Sequence, residues 1–117
     1  MSYIFAVGDE VVWSPSLRVG RLFVNMAVTL ADNFDLNISD AGLSAMAADY
    51  YYVDPPRLAV FVRTMLDGSV MTHHVYRELA RGFLGVCLVL LERSGIPVDD
   101  VPPDVAGSRD LMRNIPS

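Results

Sequence analysis

The run Phe83–Leu91, FLGVCLVLL, contains no charged side chain and one weakly polar group, the thiol of Cys87. Wound as a helix, it is apolar on every side, and such a helix has to be enclosed by protein or lipid. A membrane span takes about 20 apolar residues, and Glu92 follows Leu91 directly. No membrane-spanning segment is expected, so the chain must wrap this helix with its own remaining residues. With 117 residues it has material for one hydrophobic core and not for two.

The wrapping elements are partly legible. Tyr3–Val7 (YIFAV) and Glu10–Trp13 (EVVW) are β-branched and aromatic runs separated by Gly8-Asp9, which predicts a hairpin. Ser14 is expected to cap a first helix with Pro15 in its opening turn, and Leu22, Phe23, Met26, Leu30 and Phe34 recur at helical spacing. Asn37–Ala47 reads as a loop with a short turn, and Asp49–Val53 (DYYYV) as a third strand. Asp54 and Pro55 then open a second helix carrying Leu58, Phe61, Val62, Met65 and Leu66, closed by a left-handed Gly68. A third helix is expected from a Ser69 cap to Gly95, with Val75, Leu79, Phe83, Val86 and Leu90 turned to the core.

Beyond Ile96 lie four of the seven prolines, predicting an extended tail with one or two helical turns at Ser108–Arg113. The expected fold class is therefore α+β: a small antiparallel sheet of two or three strands packed by three helices. Residues 1–96 form the single domain in this reading, and residues 97–117 its Pro- and Asp-rich tail.

Composition bears on partners. Hydrophobic residues make up 52% of the chain, and a domain of this size leaves roughly a third of its unfolded-chain surface exposed. An apolar patch covered by a protein partner follows, most simply a second copy in a homodimer. The net charge is −5 and all nine basic residues are arginine, a usage that fits a GC-rich coding sequence. Without a basic patch, a nucleic-acid partner is not expected. One cysteine and an N-terminus with no basic leader point to a reduced, cytoplasmic setting.

Candidate sites are few. His74 and Glu78 stand one helical turn apart, a metal-ligand spacing, but His73 points about 100° away and zinc needs further ligands. The pair reads as a solvated helix face, and no metal or cofactor is expected. In a strand, Tyr50 and Tyr52 face one way and Tyr51 with Val53 the other. Two readings stand for them: sheet packing, or the aromatic centre of an interface. Trp13, beside the first cap, reads as a core anchor. Asp99, Asp100 and Asp104 are interrupted by Pro102-Pro103 and lack calcium-loop spacing; they read as solvated surface or as a contact for a basic protein. Cys87, late in an apolar helix, reads as a core thiol.

Three segments, VGDEVVWSPSLRVGRLF (Val7–Phe23), DYYYVDPPRLAVFV (Asp49–Val62) and ELARGFLGVCLVLLERSGI (Glu78–Ile96), together resemble a family of short actinobacterial proteins described as a domain of unknown function. The resemblance covers the first 96 residues. It rests on caps, turns and core positions, so it implies a fold and brings no catalytic residues. The leading expectation is a non-enzymatic protein-binding module, of the immunity or antitoxin kind that covers a partner's active site. The alternative is a small enzyme or ligand-binding accessory protein of a biosynthetic cluster. Its pocket would lie between sheet and helices, lined by Trp13, Tyr50 and Tyr52, with His73 or His74 at its mouth. A purely structural homodimer is a third reading.

Overall fold

A computed structural model describes residues 2–115. The hairpin forms as the sequence predicts, β1 (Ile4–Val7) pairing antiparallel with β2 (Glu10–Trp13). Helix α1 (Leu17–Asp32) then leads into β3 (Leu43–Ala47) and β4 (Tyr50–Val53), a second antiparallel pair. The strand order is β2-β1-β4-β3, and β1 runs parallel to β4. The expected antiparallel sheet of two or three strands is thus corrected to a mixed sheet of four. The parallel pairing requires a long crossover, which α1 supplies.

Strand β3 lies in the segment read as a loop. Its sequence, LSAMA, has no β-branched or aromatic residue and buries only Leu43. Pairing with β4, rather than any preference of its own side chains, makes it a strand.

The helices cover the sheet face that carries Phe5, Trp13, Tyr51 and Val53. On that side Phe5 stacks on Trp13 at 5.1 Å and meets Phe23 of α1 edge-on at 5.4 Å. The opposite face, with Val11, Ser44 and Tyr52, is exposed. Helix α1 begins later than Ser14. Tyr3 N–H donates to Pro15 O at 3.0 Å and the Ser2 and Ser14 hydroxyls lie 3.2 Å apart, which keeps Ser14-Pro15-Ser16 extended. Ser16 is the cap instead, accepting from Val19 N–H at 3.3 Å. The buried face of α1 carries Phe23, Val24, Ala27, Leu30 and Ala31; Leu22, expected inside, is exposed.

Helix α2 (Pro55–Asp67) follows its prediction closely: Asp54 accepts from Arg57 N–H, and Leu58, Phe61, Val62 and Met65 are buried. Gly68 is extended (φ −74°, ψ 145°) rather than left-handed, because a 3-10 turn at Ser69–Thr72 follows at once. Helix α3 (His74–Arg93) is therefore capped by His73, not Ser69, with His73 Nδ1 accepting from Tyr76 N–H at 3.4 Å. All of Phe83–Leu91 is buried, which makes α3 the central helix.

The tail, expected to be extended but for helical turns at Ser108–Arg113, instead holds a packed helix from Pro103 to Met112, α4. Val105 is fully buried, and a Cβ built on Gly85 of α3 would stand 2.9 Å from Ser108 backbone, so this close approach requires glycine. The fold accordingly runs through residue 115 rather than closing at 96. Arg93 binds both ends of the domain, donating to Val12 O and Ile115 O.

Arg77 also fastens α4, donating twice to the Asp104 carboxylate at 2.7 Å. The Arg77 hydrogen bond holds the Asp104 pKa down to about 2, against an ordinary value of 3.8. A carboxylate lowered by folding adds stability above its unfolded pKa and loses it as pH falls through the folded one. Asp104→Asn should therefore lose less stability than wild type between pH 3.8 and about 2. Acid unfolding followed by circular dichroism checks this, and parallel acid limbs for the two proteins would refute it.

Candidate functional site

Helices α1 and α3 meet at depth through Phe23 and Phe83, whose rings stack at 5.0 Å. Above that contact lies an open apolar trough. One cavity of about 370 Å³ is walled by Met26, Thr29 and Leu30 of α1 and by Tyr76, Leu79 and Ala80 of α3. A second of about 260 Å³ continues past Leu22, Gly82 and Val86 to Met112 of α4. A third of about 460 Å³ extends the other way, to Val75, His73 and Val70. Leu79 borders all three and is 72% exposed; Leu22, on the opposite wall, is 61% exposed. Across one end the Tyr76 hydroxyl donates to Asn33 Oδ1 at 2.8 Å, and burial raises the Tyr76 pKa.

Two stripes read from the sequence as core therefore line this surface: Leu22 and Met26 on α1, Val75 and Leu79 on α3. Their periodicity marks an apolar face correctly but does not say what covers it. Two cations flank the trough. Arg18 and Arg21 border a further depression with Leu17, Leu22 and Asn25, and neither has an ion-pair or hydrogen-bond partner among the described residues. Each of the other seven arginines has a salt-bridge or hydrogen-bond partner.

The residues singled out in the sequence are not assembled in one place. Trp13 is buried and packs on Phe5 and Phe23. Tyr51 is half-buried on the same face, stacked on Tyr3 and Phe5, and burial raises its pKa. Tyr50 and Tyr52 meet edge-on at 5.9 Å on the other face of the sheet, so they share no pocket with Trp13. The His73 and His74 rings lie parallel at 5.7 Å, both exposed, with His73 at the end of the trough. Glu78 pairs with Arg81 at 2.9 Å instead of with His74. Asp99 and Asp100 are exposed in the α3–α4 loop, where Arg63 donates to Asp99 O.

Chemistry finds little purchase in these groups. Among the described residues no three His, Cys, Asp or Glu side chains gather as a metal site. Cys87 is fully buried, and burial pushes its thiol pKa far up, so it holds its proton and supplies no nucleophile. The trough itself is an apolar surface with Asn25, Thr29 and Asn33 as polar rim and Arg18 and Arg21 at one end.

A family model, described as a family of unknown function (DUF6086), matches residues 1–116, and the chain belongs to that family. No curated protein and no solved structure matches it.

Proposed function

We propose that this DUF6086 chain is a non-enzymatic protein-binding module whose docking face is the trough between α1 and α3. The observation that carries the reading is Leu79, 72% exposed at the junction of three adjoining apolar cavities. An exposed leucine is unremarkable alone, but Val19, Leu22 and Val75 are exposed beside it. A contiguous apolar surface rimmed by polar groups is the composition of an interaction site. Covering a partner's active site, as an immunity or antitoxin-like protein does, is one use of such a face.

The test compares wild type with Leu79→Asp in pull-downs that retain either other proteins or tagged copies of the chain. Leu79 contributes little to the core, so the variant should melt like the isolated wild-type fold. It should lose most of the captured protein, since a buried unpaired carboxylate costs several kcal/mol at an interface. Equal capture by both proteins, or none by either, would overturn the proposal.

A further inference from the structure

Resting on the reading of the trough as a docking surface, we propose that its occupant is a second copy of this chain. The two copies pack α1 antiparallel on α1 about a two-fold axis near Asn25.

The first support is electrostatic. Arg18 lies in the first turn of α1 and Asp32 is its last residue. The helix dipole disfavours a cation at the first position and an anion at the second. Both side chains are exposed, and neither has an ion-pair or side-chain hydrogen-bond partner among the described residues. In an antiparallel pair centred on Asn25, positions equally far from Asn25 on its two sides face each other, as Arg18 and Asp32 are. Arg18 then meets the partner's Asp32, and the symmetry makes that pair twice. A foreign acidic helix would satisfy Arg18 but leave Asp32 facing its own sign. A second copy satisfies both, and that decides the occupant.

The second support is shape. Arg18, Leu22, Asn25, Thr29 and Asp32 are all exposed, and they follow one another by four, three, four and three residues. That is the seam spacing of packed helices, here turned to solvent. Leu22 stands out as a knob on one side of Asn25, and the cavity of about 370 Å³ opens on the other side, at Met26, Thr29 and Leu30. Antiparallel packing sets Leu22 opposite position 28 of the partner, over the mouth of that cavity. Because knob and hole lie on either side of the axis, one docking fills both holes, as an isologous contact must. A standard interface takes about 800 Å² per chain, roughly an eighth of the 6358 Å² that this chain exposes.

Size exclusion with light scattering on the full chain tests this. Wild type should run at twice the 12.9 kDa chain mass at micromolar concentration. Arg18→Asp or Asp32→Arg alone sets like charges opposite one another and should weaken the dimer by about tenfold or more. An equimolar mixture of the two single variants should recover the dimer mass, as should the double variant. Both positions are exposed, and unchanged circular dichroism confirms that each variant folds. A monomeric wild type, single variants that dimerise like wild type, or a mixture that fails to recover would each overturn the proposal. A monomeric wild type that captures another protein through Leu79 overturns self-association alone; one that captures nothing ends the docking reading as well.

Discussion

Phe83→Ala is expected to cost about 3–5 kcal/mol of folding stability, the usual range for truncating a buried aromatic. Phe83 is 3% exposed, stacks on Phe23 of α1 at 5.0 Å and meets Phe61 of α2 at 6.5 Å. Removing its ring leaves a void where three helices meet, and none of the three can close it without leaving its other contacts. A domain of this size has about 5–15 kcal/mol in all, so the variant should be largely unfolded in mild urea. Denaturation followed by tryptophan fluorescence is a suitable measurement, because Trp13 packs on Phe23 in the same cluster. A midpoint near that of wild type would show that the α1–α2–α3 junction is not where the core is held.

Gly42→Ala should be nearly as damaging, from the smallest possible addition. Gly42 has φ +92°, a conformation that side-chain-bearing residues rarely adopt. A Cβ there would lie 2.6 Å from Leu58 N and 2.8 Å from Asp54 O, both backbone atoms of the start of α2. Neither can yield without breaking the cap at Asp54 or the bond from Asp54 N–H to Gly42 O at 2.8 Å. Backbone strain of about 1–2 kcal/mol and overpacking of about 1–3 kcal/mol add to a loss of about 2–5 kcal/mol. Thermal melting checks this; a melting temperature within a degree or so of wild type, against the roughly 4–8 °C that 1 kcal/mol moves a small domain, would refute it.

How far the sequence discloses this fold depends on where each element draws its stability. Helix α2 is legible but for the conformation of Gly68 that follows it, because Asp54-Pro55 and the stripe from Leu58 to Met65 are local signals that tertiary packing then uses. The burial of Phe83–Leu91 is legible for the same reason: no exposed arrangement of that run is tolerable. Strand β3 is not legible, and of helix α4 (Pro103–Met112) only the turns from Ser108 onward are. The first exists through its ladder with β4, and the second through a seat on Gly85 and two bonds from Arg77 to Asp104. Nothing within either segment announces these long-range partners.

The proposed docking face is legible in the sequence only as a surplus of apolar residues. Composition requires exposed apolar surface, and the tyrosine strand is one expected place for it. Yet Tyr51 belongs to the aromatic cluster with Tyr3 and Phe5 on the sheet face that the helices cover. Exposed apolar surface lies on the outer sheet face at Val11, Met46 and Tyr52, and also on Leu22, Val75 and Leu79, whose helical spacing matches that of buried residues. Their polar neighbours on α3, His74 and Glu78, were the available hint that this part of the stripe reaches water.

The central claim is that these residues serve association rather than folding. It is tested most directly by the urea midpoint as a function of protein concentration. For a chain that docks on its own copy, the midpoint should rise with concentration, because association draws on the folded state alone. Leu79→Asp should abolish that rise while keeping the midpoint that wild type shows at its most dilute. A wild-type midpoint that stays constant from dilute to concentrated solution, or a Leu79→Asp protein destabilised at every concentration, would contradict it.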